Sequence, residues 1–145
     1  MTRTGEHAQP CLLDVRLDRD TDLSVLRGQV DTALTDLGPD HRYDVVLVVS
    51  ELVRNVVDHT AGPGQLRLAR SRNPCQITVE VDDASWLEPV RGRSRLGEHR
   101  GRGLVMVHTL SCDWGTRFRL GGKTVFAQLR CGGEGMAAAL CPEAG

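Results

Sequence analysis

Between Val45 and His59 the chain reads Val-Val-Leu-Val-Val-Ser-Glu-Leu-Val-Arg-Asn-Val-Val-Asp-His, and this segment limits the possible folds most. With Glu51 set at zero and about 100° of rotation per residue, Leu52, Val45, Val56, Val49, Val53, Val46 and Val57 fall between roughly 100° and 240°. That arc is a core face. Ser50, Arg54 and Asp58 fall between roughly 260° and 340°, on the solvent side. Glu51, Asn55 and His59 are spaced i, i+4, i+8 and form a stripe along the border of the core face, with Val48 inside the stripe. The pattern predicts an amphipathic helix. Its β-branched residues lower helix propensity, so tertiary packing has to hold it.

The flanking segments supply the partners. Cys11 to Leu17 alternates apolar and polar residues, as an edge-type strand does. Thr21 or Asp22 caps a first helix, whose apolar face is Leu23, Leu26, Val30, Ala33, Leu34 and Leu37. Gly38-Pro39 stops it, and Asp40 opens the Val-rich helix, which runs to about Thr60. Two strands are expected near Gln65–Ser71 and Gln76–Asp82, joined by a turn at Asn73-Pro74. From Asp83 to Arg102 periodicity fails over about 20 residues rich in Arg and Gly, a length that suits a lid or binding loop. A short helix from about Gly103 to Leu110 follows. Two last strands, near Asp113–Leu120 and Thr124–Arg130, meet at the hairpin signal Gly121-Gly122.

The order strand, helix, helix, two strands, lid, helix, hairpin predicts an α+β, two-layer sandwich. Its sheet is mixed and mostly antiparallel, with helices on one face. One domain spans about residues 11–130, with a lid at about 84–102. Residues 1–10 and 131–145 read as flexible termini.

Composition limits the function classes. A length of 145 residues with 40% hydrophobic residues suits one domain with a real core, and scarce aromatics mean that Val and Leu must build it. The formal net charge of -1 gives no broad attraction to nucleic acid. A local basic cluster between Arg91 and Arg102 suggests a local anion such as phosphate. The five cysteines, Cys11, Cys75, Cys112, Cys131 and Cys141, form no C-x-x-C pair, which argues against disulfide frameworks and zinc ribbons. No apolar run resembles a signal peptide or a membrane span. The expected setting is the reducing cytoplasm.

The Glu51, Asn55, His59 stripe reads in two ways. It is either a helix edge that happens to be polar or the wall of a pocket. An Asn oxygen suits a hard Mg²⁺ ion that also holds phosphates and waters. A Glu one turn away can accept a proton.

Glu51-Leu52-Val53-Arg54-Asn55-Val56-Val57-Asp58-His59 resembles the N-box of the GHKL ATP-binding superfamily, closest to the anti-sigma and switch-protein serine-kinase branch. Val56 stands where that branch usually has Ala, which implies a slightly wider helix spacing. Val79-Glu80-Val81-Asp82-Asp83-Ala84-Ser85, followed by Pro89, resembles the box whose Asp binds the adenine amino group. Asp83 aligns with that Asp, with Asp82 as its rival, and Ser85 stands where many relatives have Gly. Gly101-Arg102-Gly103-Leu104 resembles the second glycine box, and Gly122-Lys123-Thr124-Val125 the last box, in which a Thr lies near the adenine. For Lys123 the plainer reading, a hairpin end, is preferred.

The resemblance covers about Leu12 to Leu129 and implies the Bergerat ATP-binding fold with ATP and Mg²⁺ as cofactors. It implies Glu51 as general base, Asn55 as Mg²⁺ ligand and Asp83 as adenine reader. Gly101, Gly103 and Leu104 would lie at the phosphates, Thr124 near the base, and His59 would buttress the helix end. A lid arginine, Arg100 or Arg102, would reach phosphate, and the motif does not choose between them. The implied partners are a sigma factor and a STAS-type anti-anti-sigma protein phosphorylated on serine, with no direct contact to nucleic acid or membrane. Two copies would pair through the first strand and helix, where Leu13 and Leu17 are the residues to test. The rival is a nucleotide-binding module that gates partner binding without transferring phosphate.

Overall fold

The computed structural model describes residues 11–59, 63–72, 75–84 and 98–130. Five strands and three helices lie among them. They are β1 (Cys11–Leu17), α1 (Leu23–Ala33), α2 (Pro39–His59), β2 (Gly64–Arg72), β3 (Cys75–Asp83), α3 (Glu98–Leu110), β4 (Asp113–Arg119) and β5 (Gly122–Arg130). The strand order is β1-β2-β3-β5-β4. Every pairing among the described residues is antiparallel, so the mixed sheet that was expected is antiparallel throughout this part. β5 lies between β3 and β4, so the chain from β3 through α3 to β4 skips one position in the sheet.

Period-two alternation sets the sheet's two faces. Leu66 and Leu68 of β2, Ile77, Val79 and Val81 of β3, and Val125, Ala127 and Leu129 of β5 are buried in one row after another. The helices cover this face with Leu26 and Val30 of α1, Val45, Val48, Val49, Leu52, Val53 and Val56 of α2, and Leu104 and Val107 of α3. The core is thus aliphatic, as the composition required.

Asp22 caps α1, its carboxylate accepting from the N–H groups of Ser24 at 2.9 Å and Val25 at 3.3 Å. Thr21 serves instead as an acceptor for the Asp18 N–H. The helix ends at Ala33, earlier than the apolar pattern suggests, yet Leu34 and Leu37 remain buried beyond it. Arg42 straps this connection by donating to the Leu37 carbonyl at 2.7 Å and to Asp31 at 3.0 Å.

Ser50 departs from the helical wheel. It was expected on the solvent face and is buried, because α1 covers it. Arg27 of α1 donates to Ser50 Oγ at 3.0 Å, and Ser50 Oγ donates back to the Val46 carbonyl at 2.8 Å.

Two further expectations are corrected. Cys75 and Cys112 are disulfide-bonded, while Cys11 is a free, exposed thiol. The cysteine pattern therefore gives no argument for a reducing compartment. Leu17, proposed for a pairing surface, is fully buried in the core, and Leu13 is only half-buried. No helix of the described residues is long and apolar enough to cross a membrane. Of the lid expected at about 84–102, residues 98–102 belong instead to helix α3, and residues 85–97, with Ser85 and Pro89, lie outside the described residues, as do the termini and the Asn73-Pro74 turn.

Candidate functional site

The packing of α2 onto the sheet builds the site. Glu51 and Asn55 are both half-buried, one turn apart, at the margin of the helix face that carries the core valines. Glu51 Oε2 lies 3.5 Å from Arg54 Nη1, a long contact that leaves the carboxylate loosely held. Val48, inside the stripe, is fully buried. The side chain of His59 lies outside the described residues.

A glycine brings the C-terminal half of α2 close to the sheet. A Cβ on Gly64, the first residue of β2, would stand 2.5 Å from the Asp82 carbonyl oxygen and 3.0 Å from Val56 Cγ1. Only a residue without a side chain permits that approach. Val56, expected to widen the helix spacing, therefore packs into the room Gly64 leaves. The contact sets the end of α2 that bears Asn55 beside the end of β3 that bears Asp82 and Asp83.

Strand alternation separates those two carboxylates. Asp83 continues the buried row Ile77, Val79, Val81 and faces the helices. Asp82 points to the opposite, open face of the sheet. There Arg67 Nη1 and Nη2 donate to its two oxygens at 2.8 and 3.0 Å, and Thr124 Oγ1 donates to it at 2.7 Å. Burial would raise the Asp82 pKa, but the hydrogen bonds from Arg67 and Thr124 and the charges of Arg67 and Arg119 outweigh it and hold the carboxyl below its usual range. The hydrogen bond from Arg67 to Asp82 likewise holds the guanidinium above its own range, against burial. Glu80 extends this lattice by accepting from Arg67 at 3.2 Å and from Arg117 at 2.6 Å. Of the two rival acids, Asp83 shares the face covered by the helices.

Thr124 does not join Asp83. It lies across from Asp82 in the register, and its hydroxyl is on Asp82's face of the sheet, opposite the face that carries Asp83. The residue opposite Asp83 is Lys123. Its Nζ donates to Asp83 Oδ2 at 2.9 Å, and both side chains are about 95% buried, with 5% and 4% exposed. Sequence reasoning passed over Lys123 as a hairpin end. The signal was present: Lys123 sits two residues before Val125, Ala127 and Leu129 in the core-facing parity of β5.

The second glycine box also differs from expectation. α3 starts at Glu98, so Gly101, Arg102 and Gly103 lie within the helix rather than in a loop before it. The unpaired N–H groups at a helix start belong to its first four residues, here 98–101, so Gly101 is the last of them and Gly103 lies beyond. Leu104 is buried in the core. The side chains of Arg100 and Arg102 lie outside the described residues.

These features converge on one end of the helix-covered sheet face: an acid and an amide one turn apart on α2, and a buried acid at the end of β3. A family model for the histidine kinase-like ATPase domain matches residues 17–129. The chain belongs to the histidine kinase-like ATPase family, within the GHKL superfamily. The match runs from the last residue of β1 nearly to the end of β5, and so takes in every site residue named above. No curated protein matches the chain. Three helices packed on one antiparallel sheet are the α+β sandwich expected of this ATPase family, and the membership supports an ATP-binding regulatory function. GHKL ATPase domains in general bind ATP with Mg²⁺.

The donor set suits that pair of ligands. Among the described residues no three His, Cys, Asp or Glu side chains converge on a metal position. A single amide oxygen, that of Asn55, is the kind of ligand Mg²⁺ accepts when phosphate and water oxygens fill its other positions.

Proposed function

We propose that this histidine kinase-like ATPase domain is a regulator that phosphorylates a serine on a small STAS-type antagonist and holds a sigma factor in its other state. The observation that carries the reading is the one-turn spacing of Glu51 and Asn55 on α2, half-buried on the same side of the sheet as the buried Asp83. Asn55 would hold Mg²⁺ through its amide oxygen, and Asp83 would accept from the exocyclic amine of the base. Mg-ATP, when bound, supplies the transferable phosphoryl group. Glu51 would orient the acceptor serine and take its hydroxyl proton, a task that suits a half-buried carboxylate whose contact among the described residues is a long one to Arg54. The N–H groups of residues 98–101, which have no acceptor within α3 itself, would supply partial positive charge suited to phosphate oxygens.

Incubation with labelled ATP and candidate antagonist proteins tests the reading. Label on an antagonist serine, lost in Glu51→Ala while nucleotide binding stays, is the expected result. ATP binding with no transfer to any antagonist would replace it with the second reading, a nucleotide-gated binding module.

A further inference from the structure

Lys123 is the only lysine in the chain, and it is buried. It sits directly across from Asp83 in the β3–β5 register, with its ammonium 2.9 Å from the carboxylate. An ammonium is the most strongly hydrated of the basic groups, and removing it from water is costly unless a partner compensates. The backbone holds the pair in register. Gly122, at φ 153°, would bring a Cβ to within 2.0 Å of the Asp83 carbonyl oxygen, so the start of β5 is pressed against the end of β3. Lys123 and Asp83 therefore continue the paired rows Val81 with Val125 and Val79 with Ala127 on the helix-covered face.

We infer that Lys123 is a specificity-determining residue that reads the purine ring beside Asp83, a role that rests on the nucleotide-binding reading above. The Watson–Crick edge of adenine carries a donor, the 6-amino group, next to an acceptor, the ring N1. Asp83 and Lys123 present the complementary couple side by side, 2.9 Å apart: a carboxylate that accepts and an ammonium that donates. A carboxylate can accept and an ammonium can donate more than one hydrogen bond, so the cross-strand contact does not by itself bar either group from the base. Lys123 Nζ would then donate to N1 directly, and Thr124, turned to the other face, contributes nothing to this edge.

The test is the Kd of the full chain for ATP and for 1-deaza-ATP, which lacks only the N1 acceptor, measured by calorimetry for wild type and Lys123→Met. Wild type is expected to prefer ATP by about tenfold or more, the usual scale for one hydrogen bond to a charged group. Lys123→Met is expected to bind the two within about twofold of each other. A lysine serving only to satisfy Asp83 would change both affinities alike and leave their ratio where it was, which overturns the inference. A second readout needs no variant. With ¹³C-lysine labelling the single lysine gives one ε-carbon signal, expected to shift on ATP addition and much less with 1-deaza-ATP. Equal shifts, or an unmoved signal under saturating ATP, would likewise overturn it. Binding of neither nucleotide by wild type would defeat the nucleotide reading itself, a result distinct from equal binding of both.

Discussion

Val56 of α2 lies against Gly64 of β2 so closely that a Cβ on the glycine would come to 3.0 Å from Val56 Cγ1. The same Cβ would meet the Asp82 carbonyl oxygen at 2.5 Å. One bare backbone position thus lets the helix bearing Glu51 and Asn55 settle onto the strand end bearing Asp83. Gly64→Ala is expected to destabilise the domain by about 1–3 kcal/mol, the usual cost of overpacking. Val56→Ala in the same chain should recover only part of that loss, because the backbone oxygen of Asp82 cannot yield. Urea denaturation of the two single variants and the double variant checks this, and full recovery would refute it.

Glu51→Gln keeps the shape of the side chain and removes its basicity. Phosphoryl transfer should fall by about 100-fold or more, the range for loss of a general base, while the Kd for ATP stays within a few-fold. Transfer at the wild-type rate would remove Glu51 from the chemistry.

Asn55→Ala removes the amide oxygen next to Val56. With Mg²⁺ present, ATP affinity should drop by about tenfold or more, about 1.4 kcal/mol at least. With the metal chelated, wild type and variant should bind ATP alike. A deficit of the same size with and without Mg²⁺ would show that Asn55 acts on something other than the metal.

The Arg67–Asp82 pair gives the open face of the sheet a pH signature. The folded-state pKa of Asp82 is lowered, so its contribution is fully present above the unfolded value of about 3.9 and is lost as pH falls through the lower folded value. Asp82→Asn should lower stability at neutral pH by about 1 kcal/mol or less, because water screens the partly exposed pair. The gap between the two proteins should stay level between about pH 5 and 8 and close below about pH 4. Melting curves across that range decide it, and a gap that widens toward acid would be the wrong sign.

Pairing of two copies through the edge strand β1 is tested at Leu13 and not at Leu17. Leu17 is fully buried, so a charge there attacks the fold. Leu13 is half-buried on β1 and packs against the core, so Leu13→Asp should convert any dimer to monomer in light scattering at some cost in melting temperature, but with the far-UV circular dichroism of the folded domain retained. An unchanged mass would exclude Leu13 from an interface.

Local periodicity determined a good deal by itself. The valines from Val45 to Val57 repeat at the helical interval, and that alone placed Glu51 and Asn55 one turn apart at the edge of a buried face. Alternation through Ile77, Val79 and Val81, and the glycines after Leu120, marked the strands and the hairpin. Information of this kind is carried by neighbours along the chain, so it survives without a fold. What required the tertiary structure was every relation between distant segments. Ser50 looks exposed on its own helix, and it is buried because α1 covers it with Arg27. Glu98 starts α3 in a stretch with no readable period, where Leu104 and Val107 pack into the shared core. Cys75 and Cys112 are far from any Cys-x-x-Cys spacing, yet both are oxidised. Lys123 and Asp83 are 40 residues apart. Alternation along β5 puts Lys123 and Thr124 on opposite faces, but only the pairing of β3 with β5 sets Lys123 across from that acid, because register is set by long-range backbone hydrogen bonds that no local pattern encodes.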